Sequence, residues 1–238
     1  MSPASHQGCR WEAILSTQTR SPSAAPSRAA GTPSRKNRQG VILDGIGPLV
    51  TARLALRLVR ASDAAAIHRF RGNPAATTYL SHGPLTEEAN RERLVAAMAL
   101  SEASMAPWFN HSWAIVLQES GEVVGDARTW NTAELTPAGV LAPGRHPAHH
   151  AALAYVLHPD HQHQGYGREA AAALVDWLFT GSSISTIVAG VYEPNTPSIR
   201  LLQSLGFRKD PALTDQPAGG KRFPLIMFSL DRPDDQSG

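Results

Sequence analysis

From Leu153 to Leu157 the chain is a run of strand-forming residues, which passes through His158-Pro159-Asp160-His161 into Gln162-His163-Gln164-Gly165-Tyr166-Gly167. Apolar residues then recur at Ala170, Ala173, Leu174, Trp177 and Leu178, the spacing of one helical face. The two glycines therefore stand where a strand hands over to a helix N-terminus. The first N–H groups of a helix have no partner inside it, the helix dipole is positive there, and glycine lets a ligand come close to the backbone. Such a turn is suited to holding an anion, a pyrophosphate in particular. It is equally suited to a tight turn and a close helix-to-sheet contact with no ligand at all. Two common nucleotide patterns do not fit: a P-loop needs Lys-Ser or Lys-Thr where Arg168-Glu169 stand, and a Rossmann turn needs a third glycine near Ala170.

A second segment narrows the choice. Thr186 to Tyr192 is rich in β-branched residues and reads as a strand. After it, Asn195 suits a helix cap, Pro197 a first turn, Ile199, Leu202 and Leu205 an inward face, and Gly206 a left-handed stop. Gln162-x-x-Gly165-x-Gly167 followed by Asn195-x-x-Ser198 and Leu205-Gly206-Phe207 resembles the Gcn5-related N-acetyltransferase (GNAT) family, in which the glycine motif follows the fourth strand and binds the pyrophosphate of acetyl-CoA. Thr51-Ala52-Arg53-Leu54-Ala55-Leu56-Arg57 resembles the opening of its Rim-type ribosomal-protein N-acetyltransferase branch.

The resemblance implies an α/β (α+β) fold, with a mixed, twisted central sheet of six to seven strands, about four flanking helices, and a splay at strands four and five for the pantetheine arm. It implies acetyl-CoA as co-substrate, no metal, and direct attack by a primary amine. The cofactor residues it implies are Val156, Leu157, Gln162, His163, Gln164, Gly165, Tyr166, Gly167, Arg168 and Asn195. A backbone N–H of Val156, Leu157 or His158 would be the oxyanion donor. Asn195 would contact the pantetheine or orient water, or act only as a helix cap.

Acetyl transfer to an amine needs a proton taken from the nucleophile, a donor for the oxyanion, and an acid for the leaving thiolate. Where several relatives carry a glutamate base this chain has Ala152, and where many carry a tyrosine acid it has Leu202. The candidates that stand in are His158, of the residue type that titrates near neutral pH, Glu193 and Ser198, with Tyr192 beside them. The missing pair opens a second reading, a catalytically idle acyl-CoA-binding regulatory module. The acceptor implied is a protein N-terminal α-amine or a small-molecule amine such as an aminoglycoside, amino acid or polyamine. An acidic cleft would favour polycations, and the acids at hand are Glu87, Glu88, Asp126 and Glu134.

These residues need elements to position them. Thr51 to Leu58 alternates as a half-buried first strand, Asp63 caps a helix to Arg71, Gly72-Asn73-Pro74 breaks it, and Thr86-Glu87-Glu88 opens a longer helix to about Glu102. Trp113 to Leu117 and Glu122 to Trp130 form a hairpin, and 131–150 is a long loop ending in His146, His149 and His150. With His158, His161 and His163 nearby a metal site comes to mind, but the spacing matches no zinc motif.

Residues 1–48 are crowded with Ser, Pro, Arg and Gly and read as a disordered basic tail, 49–232 as the N-acetyltransferase domain, and 233–238 as a C-terminal tail. The chain carries a net charge of +2, of which the first 48 residues hold +4 and the remainder −2. That division argues against a nucleic-acid partner for the folded domain. No apolar run is long enough for a membrane span, and the one cysteine, Cys9, excludes an internal disulfide. A cytoplasmic setting is expected, and a homodimer is left open.

Overall fold

The computed structural model describes residues 46–105, 107–131, 149–213 and 223–233. The expected tail before residue 46, the interior of the 131–150 loop with Glu134 and His146, and the segment after 233 lie outside the described residues. Among the described residues eight strands form one mixed sheet: β1 (Leu49–Val50), β2 (Leu54–Leu58), β3 (Asn110–Leu117), β4 (Val123–Trp130), β5 (His150–Leu157), β6 (Thr186–Tyr192), β7 (Arg208–Lys209) and β8 (Leu225–Asp231). Their order is β1-β2-β3-β4-β5-β6-β8-β7. Every pairing is antiparallel except β5 with β6, which is parallel. The count passes the expected six to seven because β1 and β7 are two-residue edge strands, too short to leave an alternation in the sequence.

Five α-helices among the described residues flank the sheet: α1 (Ala64–Arg71), α2 (Pro74–Thr77), α3 (Glu87–Glu102), α4 (Tyr166–Gly181) and α5 (Thr196–Ser204). Local chemistry sets several of their ends. The Thr86 hydroxyl accepts from the N–H of Ala89 to start α3, and Asn195 accepts from the N–H of Ser198 to start α5, with Pro197 in its first turn. Gly206, at φ 90°, ends that helix in the left-handed region. Two expectations change. Asn73-Pro74 does break α1, but Asn73 also caps the four-residue α2, accepting from the N–H of Ala75 at 2.8 Å. Asp63 makes no cap bond to α1; its carboxylate accepts from the N–H of Arg60 at 2.8 Å and pairs with Arg57 at 2.7 Å, because a buried charge is better served by a guanidinium than by a single amide.

Alternation along the strands divides the core into two layers. Leu54, Leu56, Trp113, Ile115, Ala127 and Leu153 face α4, which answers with Ala170, Ala171, Leu174 and Leu178. Ala114 and Val156, on the other face, meet Ile67 and Phe70 of α1 and Leu94 and Ala97 of α3. None of the described helices is long and apolar enough to cross a membrane.

Within the first layer His111 is 2% exposed, stacks on Phe109 at 5.6 Å and meets Trp177 edge-on at 5.9 Å. Neither ring nitrogen has a hydrogen-bond partner. Burial lowers its pKa to about 4, so the unfolded chain binds the proton first as pH falls and stability drains away between about pH 6.5 and 4. The loss from this residue should reach about 3 kcal/mol at the acid end. Urea midpoints at pH 7 and pH 4.5 should therefore lie further apart in the wild type than in His111→Phe; equal pH dependence would remove His111 from the account.

Candidate active site

The parallel pairing of β5 with β6 is short. Registered partners run only from His150–Thr186 to Ala152–Val188, although β5 continues to Leu157 and β6 to Tyr192. The two strands therefore part beyond Ala152, and an opening follows along their C-terminal ends. At the end of β5 the chain makes a single turn of 3-10 helix (Pro159–His161) and enters α4 through Gln162 to Gly165.

This turn is built to expose backbone N–H groups. Gly165 caps α4 at φ 84°, and His163, at φ 60°, is the single non-glycine residue with positive φ among those described. Left-handed residues in a turn before a helix allow successive N–H groups to converge into a nest. Gly167 does different work. A Cβ there would come within 3.2 Å of Leu201, 3.4 Å of Leu157 and 3.6 Å of Tyr155, so its lack of a side chain seats α4 directly on β5 and α5.

The side chains of the turn are mostly spent on holding it. Gln162 donates to the carbonyl of Leu157 at 3.2 Å, Gln164 to that of Asp160 at 2.9 Å, and Arg168 to the Ser204 hydroxyl at 3.3 Å. Arg53, the residue just before β2, clamps the turn from outside. It donates to the carbonyl of Gln164 at 3.0 Å, pairs with Glu169 at 2.7 Å, and lies over the Tyr166 ring at 4.5 Å. Glu169 also accepts from the Thr51 hydroxyl at 2.6 Å and the N–H of Arg53 at 2.8 Å. Partial burial would raise the Glu169 carboxyl, but these donors outweigh it and hold it below the usual carboxylate range.

The backbone at the end of β5 is divided between two edges. His158 donates its N–H to Val124 on β4 at 2.8 Å. Strand alternation turns the N–H of Val156 the same way and that of Leu157 toward the opening. The His158 ring accepts from the N–H of Asp160 at 3.2 Å and stands 3.7 Å from its carboxylate, so it caps the 3-10 turn. Glu193 is exposed just beyond β6. Asn195 spends its side-chain oxygen on the α5 cap. Ser198, in the first turn of α5, receives the Tyr155 hydroxyl at 3.5 Å, which links β5 to α5. Burial raises the Tyr155 phenol and keeps it protonated, the bond to Ser198 opposing weakly. Ala152 and Leu202 are buried in the core, where neither offers a proton.

On the face turned to α1 and α3, Ala154 is exposed although it lies in the middle of an inner strand, and so is Gly190 of β6. Beside this patch the charges collect. Asp126 of β4, 2% exposed, is paired with Arg71 at 2.5 Å and Arg93 at 2.8 Å. Burial would raise its carboxyl, and the two guanidinium groups together override that and keep it ionised. The acids weighed for an acidic cleft therefore do not form one: Asp126 is already neutralised, Glu87 and Glu88 are exposed on α3, and Glu134 lies outside the described residues. Tyr79, after α2, meets Phe223, ahead of β8, at 6.1 Å. No group of three or more His, Cys, Asp or Glu side chains suited to a metal ion occurs among the described residues. The expected loop histidines are split, with His150 opening β5 and its ring 4.6 Å from that of His149.

Residues 53–208 match the family described as acetyltransferase (GNAT) domain. The chain belongs to the GNAT acetyltransferase family. It is 31% identical over 183 residues to the uncharacterized N-acetyltransferase p20 of Bacillus licheniformis, covering 76% of this chain and 94% of that one. Its fold is shared with the ribosomal L7/L12 α-N-protein acetyltransferase, a Rim-type enzyme solved in complex with coenzyme A, at a TM-score of 0.61, 18% identity, and coverage of 78% and 98%. The aminoglycoside acetyltransferase AAC(6')-Ib, solved with paromomycin and acetyl-CoA, superposes at a TM-score of 0.56 with 16% identity, covering 75% and 93%.

Three parts of this GNAT acetyltransferase have no local signal in its sequence. The Arg53–Glu169 clamp joins residues more than a hundred positions apart, Tyr155 meets Ser198 across the opening, and the Asp126 cluster draws on α1, α3 and β4. Asp126, weighed from the sequence for an acidic cleft, is instead held by Arg71 of α1 and Arg93 of α3.

Proposed function

We propose that the protein transfers the acetyl group of acetyl-CoA to a primary amine by direct attack within the opening between β5 and β6. The observation that carries this reading is the alignment of that opening with the nest at the start of α4. The nest offers N–H groups and the helix dipole to a pyrophosphate, and the parted strands leave room for an extended arm running from it. Acetyl-CoA in the complex of AAC(6')-Ib and coenzyme A in that of the ribosomal-protein enzyme support the choice of donor.

In this reading the N–H of Leu157 receives the oxyanion, since it turns toward the opening while that of His158 is taken by Val124. Gln162 fixes the carbonyl of the same residue and so steadies the donor. Ser198, backed by the protonated Tyr155, returns a proton to the leaving thiolate. His158 takes the proton of the amine directly or through water on Nδ1, its lone-pair nitrogen, in exchange for the bond from the N–H of Asp160, with Glu193 as the other base at the rim. Asn195 holds the first turn of α5 against the pantetheine.

Purified protein incubated with acetyl-CoA and a mixed panel of amines and short peptides should release free thiol in step with an N-acetylated product. Coenzyme A binding with no turnover on any acceptor would favour the idle regulatory module instead.

A further inference from the structure

The reading above uses the turn at α4 and the opening beside it, and leaves the charges on the α1 and α3 face without a task. Three guanidinium groups collect there around one carboxylate, which two of them hold. Asp126 gives one oxygen to Arg71 at 2.5 Å and the other to Arg71 at 3.0 Å and Arg93 at 2.8 Å. Arg128, two residues along β4, has no carboxylate partner among the described residues. Its Nε donates to the Asn110 side-chain oxygen at 2.8 Å, and its guanidinium lies 4.9 Å over the Trp130 ring. Its two terminal nitrogens have no acceptor among the described residues, and the residue is partly exposed. His82, which bonds to Arg71 at 3.0 Å, is held toward its neutral form by burial and by Arg71 and Arg93, so it adds no further positive charge.

Two positive charges are thus left over in a partly buried cluster. A surplus of that kind is completed by an anion, and a guanidinium offering two free N–H groups in one plane matches a carboxylate or a phosphate. Burial, and after it repulsion from Arg93 and Arg71, lowers the Arg128 pKa to about 10. Its position is equally specific. Arg128 is the registered cross-strand partner of Ala154, the exposed residue of β5 two positions past the last pairing with β6. Opposed side chains of an antiparallel pair lie on one face about 5 Å apart. Arg128 therefore stands on the strand face that borders the opening from the side opposite α4, with its guanidinium leaning toward Asn110 of β3 and Trp130.

We propose that Arg128 binds an oxyanion, carboxylate or phosphate, carried by the acceptor amine. The preferred acceptors are then anionic amines, and polycations are disfavoured by the same cluster. This rests on the acetyl-transfer reading for the reaction and adds the acceptor class. Arg71 and Arg93 act as positioning residues: by consuming Asp126 they leave Arg128 free.

The test uses amines matched in length, β-alanine, O-phosphoethanolamine and n-propylamine, with spermidine as the polycation, each assayed by thiol release from acetyl-CoA. Coenzyme A affinity is measured by calorimetry on wild type, Arg128→Gln and Arg128→Lys. One or both anionic amines should exceed n-propylamine by at least about tenfold in kcat/KM, and which of the two responds separates carboxylate from phosphate. In Arg128→Gln that ratio should collapse by about 10–100-fold, mainly through KM, with coenzyme A affinity retained; Arg128→Lys should recover part of it. Wild type that prefers spermidine or n-propylamine, or a ratio unmoved in Arg128→Gln, overturns the proposal. Should no amine react, binding of N-acetyl-β-alanine or N-acetyl-O-phosphoethanolamine to the coenzyme A complex decides: weaker binding to Arg128→Gln supports the site, and no binding to wild type overturns it. Failure of coenzyme A itself to bind would instead overturn the donor reading, and this inference with it.

Discussion

Gly165→Asp should reduce coenzyme A affinity by at least about 100-fold while the domain stays folded. The backbone at Gly165 has φ 84°, a conformation that aspartate and asparagine tolerate better than other side chains. The new Cβ would meet only the tip of Arg53, at 3.2 Å, and that arm is exposed and can give way. Local strain should cost about 1 kcal/mol. The carboxylate, however, would stand at the mouth of the nest, pointing a negative charge at the place assigned to the pyrophosphate. Gly165→Asn carries the same strain and shape without the charge, and should lose less than about tenfold. Calorimetric titration of coenzyme A into the three proteins separates the two effects. Equal losses in both variants would mean that Gly165 matters only for backbone shape, and no loss in either would make the turn purely structural.

The second large effect is on stability. Asp126→Ala should destabilise the domain by about 3–5 kcal/mol, because it leaves Arg71, Arg93 and Arg128 together in a buried place with no carboxylate. Asp126→Asn keeps hydrogen-bond acceptance and loses the charge, so it should fall between wild type and alanine. Replacing the whole set with apolar residues (Asp126→Leu with Arg71→Met and Arg93→Leu) should recover much of the loss, since the pair itself is worth little more than a well-packed apolar substitute. Urea unfolding of the four proteins measures this. A loss below about 1 kcal/mol in Asp126→Ala would show that solvent reaches the cluster and screens it.

How much of this was legible in the sequence depends on how local each feature is. The strand-to-helix turn, the apolar face of α4, the Thr86 and Asn195 caps and the Gly206 stop are each set within a few residues, and all appear where their residues indicate. Gly165 and Gly167 look alike in the motif and differ in the fold, one supplying a left-handed cap and the other a close contact with β5 and α5. The four-residue α2 was hidden because Asn-Pro signals both the end of one helix and the start of the next. Asp63 and Asp126 could not be placed from sequence, since their partners are chosen by burial and not by spacing. The same limit hid Arg128, whose importance comes from what Asp126 has already been given to.

The central claim is most directly tested by the balance of one reaction. With acetyl-CoA and an acceptor from the anionic series, free thiol and N-acetylated amine should appear in equal amounts, catalytically in the wild type and at least about 100-fold more slowly in Gly165→Asp at limiting acetyl-CoA. Wild type that neither binds coenzyme A nor forms N-acetylated product with any amine would contradict it.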